Sequence, residues 1–226
     1  MIAATFIFIL ISLLFSPIWS ETKEDLVERD GYFYKKFNDV PFSGKLNGIW
    51  NGKIKDGRRI GLWKEYHENG QIKSKGKYIS GKKEGYWENY HENGQIKSKV
   101  NFKNDYEDGV FNSFFSNGVA EDIGNYVEGN KQGIWTSIKI ENDSYYRDTV
   151  HYVDGNKNGM REQYYLNGQL RFRGVYENGN LTDGTYQFYH QNGFVWASGE
   201  YKDGERHGPW KLFSEVDGSY QTTRNY

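Results

Sequence analysis

The sequence contains no cysteine and only three prolines. Without cysteine there is no disulfide framework, no thiol nucleophile, no Cys-based zinc site and no lipid-modified cysteine to act as an anchor. The scarcity of proline beside 27 glycines favours tight turns over a disordered, low-complexity chain. The fold must therefore be held together by packing and strand pairing alone.

An excess of charge of one sign is also lacking, since 29 basic and 30 acidic residues leave a net charge of −1. A dedicated nucleic-acid-binding protein usually carries a clear basic excess, so no nucleic-acid partner is expected. Aliphatic residues are comparatively few after position 20, whereas aromatic residues make up 18% of the chain. This composition favours an elongated structure with a thin aromatic core over one compact domain.

The first 20 residues depart from this polar character. Residues 1–15 read MIAATFIFILISLLF, and Ser16, Pro17 and Ser20 precede the charged run that begins at Glu21. An apolar stretch followed by a helix breaker and a small residue is typical of a signal peptide, here with cleavage after Ser20. The alternatives are a membrane anchor through residues 1–19, which at about 1.5 Å per residue nearly spans a bilayer, and a buried strand or helix. A signal peptide and a membrane anchor would both put the rest of the chain outside the cytoplasm, in the periplasm, at the cell surface or secreted.

A repeat of 24 residues organises the remainder of the chain. The decapeptide YHENGQIKSK occurs at positions 66–75 and again at 90–99. Following that period, with slightly longer steps in the second half, the units begin at Gly61, Gly85, Gly109, Gly133, Gly159, Gly184 and Gly208. A repeat of this length indicates one supersecondary unit that stacks on copies of itself.

Each unit shows the same succession of structural residues. An aromatic residue stands two places after the first glycine, a Tyr or its equivalent stands five places after it, and an Asn-Gly pair follows. These positions are occupied by Trp63, Tyr66 and Gly70, by Trp87, Tyr90 and Gly94, by Phe111 and Gly118, and by Trp135, Gly168, Gly193 and Trp210. Arg161 stands in the aromatic position of its unit, and Asn142-Asp143 replaces one Asn-Gly pair. Asn-Gly predicts a type I′ hairpin turn, in which both central residues have positive φ.

The second half of each unit alternates strictly, as half-buried strands do. Over residues 72–78 one face carries Ile72, Ser74, Gly76 and Tyr78, and the other carries three lysines. The small residues should leave room for neighbouring aromatic rings, and a second glycine turn closes the unit. The two aromatic positions of the first strand lie three residues apart, which implies either a bulge between them or aromatic residues on both faces.

These patterns predict an all-β fold, an elongated solenoid of tandem hairpins of about 24 residues, because one hairpin is marginal alone and stacked hairpins share a continuous face. We expect three segments: a signal peptide or anchor helix over residues 1–20, a charged lead-in or cap over residues 21–39, and the hairpin array over residues 40–226.

The segments GLWKEYHENG, GYWENYHENG and GTYQFYHQNG resemble MORN repeats, whose hallmark is a Gly-x-aromatic-x-x-Tyr strand followed by Asn-Gly and a second glycine turn. The form seen here is similar to the bacterial variant often labelled as a YwqK-like antitoxin component, and the likeness covers about residues 42–213. The resemblance implies a hairpin array used for protein contacts and, in some relatives, for contacts with membrane lipid. The antitoxin label would imply neutralisation of a partner toxin.

Nucleophile elbows, phosphate loops and dinucleotide fingerprints do not occur in the sequence, so no catalytic residue, cofactor or metal site is predicted. His67, His91 and His190 share one repeat position, which suggests a metal ladder, but aromatic residues at this position elsewhere favour a half-exposed residue beside the turn. Glu68 and Glu92 recur in identical surroundings, which do not separate two pKa values as acid–base catalysis requires.

Two groups of side chains are candidate binding residues. A basic stripe should project from one side of neighbouring hairpins and consists of Lys73, Lys75, Lys77, Lys97, Lys99 and Lys103, with Arg171 and Arg173 further along. Such a stripe would meet an anionic membrane surface or an acidic protein, unless nearby glutamates pair with it as an ordinary solvated face. Trp196 occupies the outward, lysine-like place of its strand and is a candidate interface residue.

The sequence thus favours a non-catalytic binding or scaffold protein, exported or associated with the cell envelope, whose partner is another protein. One alternative is an antitoxin-like neutraliser of a partner toxin. The other is a surface protein that binds anionic lipid or carbohydrate.

Overall fold

The structure, a computed structural model, describes residues 21–141 and 144–226. The predicted signal or anchor segment over residues 1–20 and the predicted Asn142-Asp143 turn lie outside these ranges. Most of the described chain is β-strand, which confirms the predicted all-β hairpin array. A 3-10 turn at Lys23–Asp25 precedes the first strand, and the described residues contain no helix long and apolar enough to cross a bilayer.

The strands are short and follow one another closely along the chain. They are β1 (Leu26–Arg29), β2 (Tyr32–Lys35), β3 (Gly44–Leu46), β4 (Trp50–Lys55), β5 (Arg58–Tyr66), β6 (Ile72–Ile79), β7 (Lys82–Tyr90), β8 (Ile96–Lys103), β9 (Tyr106–Phe114), β10 (Ala120–Val127), β11 (Asn130–Glu141), β12 (Ser144–Val153), β13 (Asn156–Tyr165), β14 (Leu170–Glu177), β15 (Asn180–Leu181), β16 (Gly184–Tyr189), β17 (Val195–Lys202), β18 (Glu205–Phe213) and β19 (Tyr220–Asn225).

From β3 to β19 the strands form an antiparallel ladder in which each strand pairs with its neighbours in the sequence. The short strands β15 and β16 together occupy the place of one strand, because both pair with β14. Since every pairing joins strands separated by a short turn, the array is built from local contacts.

The two turns of each unit differ in type, and the predicted type I′ geometry at Asn-Gly is wrong. His67 N–H donates to the Gln71 carbonyl over 2.8 Å, and Gly70 N–H donates to the His67 carbonyl over 2.9 Å. Gly70 alone of the Asn-Gly pair has a positive φ, 81°, so this is a three-residue loop closed by a glycine bulge. The Oδ1 atom of Asn69 accepts the Gln71 N–H over 3.0 Å and thereby holds this longer loop.

The type I′ geometry occurs in the second turn of the unit instead. Ser80 and Gly81 both have positive φ, 49° and 89°, and they separate the paired residues Ile79 and Lys82. A two-residue loop needs this mirror-image backbone to match the right-handed twist of the strands. The second turn is therefore the tight one, and it sets the register between consecutive units.

Tryptophans form the core on one face of the sheet, which we call the tryptophan face. Trp63, Trp87, Trp135 and Trp210 are each at most 4% exposed. Most neighbouring rings meet edge to face, as at Tyr78 and Trp87, whose centroids lie 5.0 Å apart, whereas Phe111 stacks on Trp135. A row of such contacts gives a thin array a buried core without a second layer.

A glycine in the second strand of a unit makes room for the tryptophan of the next unit, which confirms the predicted role of the small residues. A Cβ atom on Gly76 would lie 2.1 Å from Cδ2 of Trp87. The same holds for the pairs Gly52 and Trp63, Gly124 and Trp135, and Gly199 and Trp210. In two units both members of the pair are replaced: Val100 pairs with Phe111, and Val150 pairs with Arg161.

The unit around Arg161 replaces the buried tryptophan with an ion pair. Arg161 donates from Nε and Nη2 to the two carboxylate oxygens of Asp148, over 2.9 and 2.8 Å. Nη1 of Arg161 also donates to the Tyr176 hydroxyl over 3.1 Å. Because Asp148 is only 6% exposed, its negative charge is stabilised by the guanidinium of Arg161 and not by water.

The residues before the array contribute apolar side chains to its first unit. Leu26 of β1 and Phe33 of β2 are buried in one cluster with Phe42 and Leu46. The ring of Phe33 meets Trp50 edge to face at 5.7 Å, and Phe42 N–H donates to the Phe33 carbonyl over 2.8 Å. The β1–β2 hairpin thus covers apolar surface at this end of the array.

Candidate functional site

The second aromatic position of each unit lies on the face opposite the tryptophans, which we call the outer face. Glu65 pairs with Ser74 and Tyr66 with Ile72, so Lys73 is an extra residue in the second strand. No bulge interrupts the first strand between Trp63 and Tyr66. A step of three residues therefore places Tyr66 on the face opposite Trp63. Of the two alternatives that the sequence left open, aromatic residues on both faces is the correct one.

The extra residue of the second strand recurs as a β-bulge at Lys73, Lys97, Arg171 and Trp196. These bulges turn side chains towards the tryptophan face. Lys73 Nζ lies 3.2 Å from Glu65, Arg171 Nη1 donates to the buried Gln163 over 2.6 Å, and the Trp196 ring contacts Phe188 at 5.7 Å. The expectation of one basic stripe on a single side, with Trp196 pointing outward beside it, is therefore wrong, because a bulge re-aims the side chain.

The other predicted basic residues lie on the outer face: Lys75, Lys77, Lys99, Lys103 and Arg173. Lys75 Nζ pairs with Glu88 at 2.6 Å, and Arg173 makes the corresponding contact with Glu162 at 2.7 Å. The hydrogen bond from Lys75, together with one from Tyr90, holds the pKa of Glu88 below its ordinary value. These two outer-face cations are thus partly neutralised by their own sheet.

Several other lysines of the outer face, in the N-terminal half of the array, have no ion-pair partner within residues 21–141 and 144–226, among them Lys53, Lys64, Lys77 and Lys99. Lys64 lies directly opposite Lys75, and Lys53 lies directly opposite Lys45. Like charges that face each other across two strands destabilise a sheet. The positive charge of this region therefore does not serve the stability of the array.

A row of exposed apolar side chains runs along the same face, and we call it the apolar row. It consists of Leu62, Tyr86, Val110, Ile134 and Met160, each between 51% and 82% exposed. Every member follows the first glycine of its unit and precedes the buried aromatic position or its Arg161 substitute, so alternation directs it outward. Contiguous exposed apolar surface of this kind usually marks a contact site.

Sequence reasoning missed the apolar row, although its signal is present in the repeat. An apolar residue follows the first glycine in five consecutive units, from Leu62 to Met160. The row is not recognised from the sequence because each member stands next to the tryptophan position. Strand alternation alone does not say which of two adjacent apolar residues is buried. Only the register of β5 with β6 assigns Trp63 to the core and Leu62 to solvent.

The N-terminal end of the apolar row borders a groove of about 350 Å³. Leu62 and Tyr86 supply its apolar walls, and Lys64, Lys75 and Glu88 supply its charged ones. The Tyr86 hydroxyl donates to Glu88 over 3.3 Å, which orients the ring along the groove. The groove therefore combines apolar contact with fixed charge.

The recurring histidines connect neighbouring units at the Asn-Gly end of the array. Nε2 of His67 lies 3.0 Å from the Tyr90 carbonyl oxygen of the next unit. The turn asparagine acts in parallel, since Nδ2 of Asn69 donates to the Glu92 carbonyl over 2.8 Å. His91 and His190 make contacts equivalent to that of His67. In the described part of the chain, no group of three or more His, Cys, Asp or Glu residues is arranged to hold a metal ion.

Four segments of the chain match the family model of the MORN repeat variant, over residues 59–80, 83–104, 157–178 and 182–203. Each segment begins within or next to the first strand of a unit and ends in the second turn, so the match follows the hairpin phase of the structure. No curated protein matches the chain. MORN repeats generally bind proteins or lipids and are generally non-catalytic.

Proposed function

Because this chain belongs to the MORN repeat variant family, we propose that it is a non-catalytic scaffold that binds another protein through the apolar row of its outer face. The observation that carries the proposal is the alignment of five exposed apolar side chains along one face. Full burial of one such side chain contributes about 1.5–3 kcal/mol. A partner that covers several of them would gain enough to offset the ordering of both surfaces.

The proposal includes an extracytoplasmic location. It is supported by the signal-peptide pattern of residues 1–20. Exported proteins without disulfides depend on packing alone, and the tryptophan and glycine pairs supply that packing in this array. The partner would then be a protein of the same compartment.

Site-specific photo-cross-linking in the native cell, combined with fractionation, tests this function. A photoreactive residue in place of Ile134 or Met160 should capture one and the same protein in the exported fraction, on a mature chain that starts at Glu21. The matched control is Thr222, which is exposed in β19 and lies away from the row. Equal capture from all three positions would contradict the role of the row.

The same experiment separates the scaffold from the antitoxin-like alternative. An intact N-terminus at Met1, together with a single stoichiometric partner in the cytosol, would favour a neutraliser of a toxin. That outcome would refute the extracytoplasmic part of the proposal while keeping the protein-binding part.

Binding to anionic lipid is a second candidate function, favoured by the outer-face lysines that have no ion-pair partner. It predicts salt-sensitive binding to vesicles that contain phosphatidylserine. Replacing Lys64, Lys77 and Lys99 with Gln should weaken that binding, whereas replacing Lys73 and Lys97, which lie in bulges, should leave it nearly unchanged. Binding that does not respond to salt would remove this function.

A further inference from the structure

We infer that the N-terminal half of the outer face binds an acidic polypeptide segment in an extended, polyproline-like conformation, with an apolar residue at every third position. This inference rests on the proposed protein-binding function and specifies the chemistry of the partner. It is carried by three features of the first three units: the spacing of the apolar row, the charge beside it and the groove at its end.

The spacing of the apolar row matches one conformation of a bound chain. Consecutive members of the row belong to units that are two strands apart, so they lie about 9.4–9.8 Å from one another. A polyproline II helix rises about 3.1 Å per residue with three residues per turn, so it presents one side chain to the same side every 9.3 Å or so. From Leu62 through Tyr86 to Val110 the two spacings differ by no more than about 1 Å.

Other regular conformations fit this row less well. A β-strand presents side chains to one side at about 6.6 Å intervals and then at about 13 Å, neither of which matches. An α-helix returns to one side after seven residues, about 10.5 Å, and drifts about 20° per heptad. A helical ligand would therefore lose register within two or three units, whereas an extended one keeps it.

The charge beside the row indicates an acidic ligand. Across β5 to β8 one row of directly paired residues reads Lys64, Lys75, Glu88 and Lys99, which is three cations to one anion. Lys77 pairs with Leu62 on one side and with Glu84 on the other, so a cation stands beside the first apolar position as well, and the region holds four cations to two anions. Carboxylates placed between the apolar residues of a ligand would relieve the repulsion between Lys64 and Lys75.

The groove can accommodate both the apolar and the acidic residues of such a ligand. Leu62 and Tyr86 form apolar walls about one repeat apart, and Lys64 and Lys75 lie between them. Within the described residues, the C-terminal half of the outer face lacks this combination, because the row ends at Met160, Arg173 is paired with Glu162, and Lys202 and Lys211 lie beyond the row. The acidic segment of the partner is therefore expected to lie across the first three units of the array.

The experiment measures fluorescence anisotropy of labelled synthetic peptides with the full-length chain. The probe is a 12-residue peptide of repeating Leu-Glu-Pro. One control peptide has the same composition with its leucines clustered, and another repeats Leu-Lys-Pro. We expect the probe to bind at least tenfold more tightly than either control and to weaken as salt is raised.

Matched variants locate the site on the chain. The triple variant Lys64→Gln, Lys77→Gln, Lys99→Gln should lose at least tenfold in probe affinity, and Tyr86→Ser should lose a similar factor. The control is Arg173→Gln, Lys202→Gln, Lys211→Gln, which removes three cations from the outer face of the C-terminal half and should stay within twofold. Unchanged unfolding midpoints show that a variant retains its fold.

Three outcomes would overturn the inference. Equal binding of the clustered peptide would refute the three-residue spacing, and equal loss in both triple variants would refute the location. Binding to phosphatidylserine vesicles without binding of the probe would show that the charge serves a membrane. In each case cross-linking at Ile134 and Met160, outside the basic half, still tests the protein-binding function by itself.

Discussion

Replacing Gly76 with valine should destabilise the array by forcing a side chain into the space of Trp87. The added Cβ would lie 2.1 and 2.2 Å from Cδ2 and Cε2 of the indole, well inside contact distance. Trp87 is 3% exposed, and its ring contacts Tyr78 at 5.0 Å and Phe102 at 6.2 Å, so it has little room to move. Overpacking of this kind costs about 1–3 kcal/mol.

The chain itself contains a unit in which a valine replaces this glycine and a smaller aromatic residue replaces the tryptophan. One unit later Val100 stands where Gly76 stands, and its partner is Phe111 in place of a tryptophan. The double variant Gly76→Val, Trp87→Phe copies that pair and should recover more than half of the loss. Lys77→Val is the matched control, because it adds the same side chain one residue later on the exposed outer face.

Denaturant unfolding of the full chain, followed by tryptophan fluorescence and circular dichroism, measures these effects. In thermal unfolding, a loss of about 1–3 kcal/mol corresponds to a fall in Tm of roughly 2–12 °C for a chain of this size. A single variant as stable as the Lys77→Val control would show that the indole can move. A double variant no more stable than the single one would show that glycine and tryptophan do not act as a pair.

Three further predictions concern other contacts of the array. Asp148→Ala should cost about 1–3 kcal/mol in urea unfolding because it leaves the partly buried Arg161 without its carboxylate, and a loss below about 1 kcal/mol would mean that water solvates the arginine in its place. Asn93→Ala removes the bonds to the Ser116 carbonyl and the Gln95 N–H and should cost about 1–2 kcal/mol, whereas Asn93→Asp keeps the acceptor for Gln95 and should lose less. Burial raises the pKa of Tyr126 to about 12, so this residue's contribution to stability is present below pH of about 10 and is lost as the pH rises towards 12. Alkaline difference spectra should show several late-titrating phenols, since burial also raises the pKa values of Tyr78, Tyr146 and Tyr152, and Tyr126→Phe should remove one of them; a spectrum unchanged by that substitution would contradict the assignment.

The proposed binding surface is set by the register of the strands. Leu62 and Trp63 are adjacent apolar residues, yet Leu62 is 82% exposed and Trp63 only 4%. Lys73 and Lys75 look equivalent in the sequence, yet one pairs with Glu65 on the tryptophan face and the other with Glu88 on the outer face. The first difference follows from the alternation of side chains with a period of two, and the second follows from the extra residue at the Lys73 bulge.

The sequence by itself determined the repeat length, the position of each hairpin and the packing role of glycine beside tryptophan. These features depend on contacts between residues close in the chain, so a local pattern such as Gly-x-Trp-x-x-Tyr is sufficient to predict them. The exchange of Gly76 and Trp87 for Val100 and Phe111 one unit later is visible in the sequence for the same reason.

Only the tertiary structure decided the turn types, the side of each basic residue and the existence of the apolar row. Asn69 bonds to its own loop and to the Glu92 carbonyl of the next unit, which converts the expected two-residue turn into a three-residue loop. The bulges at Lys73, Lys97, Arg171 and Trp196 separate a basic stripe that is continuous in the sequence. Pairing between strands sets these outcomes, and a shift of one residue in that pairing sends every following side chain to the other face.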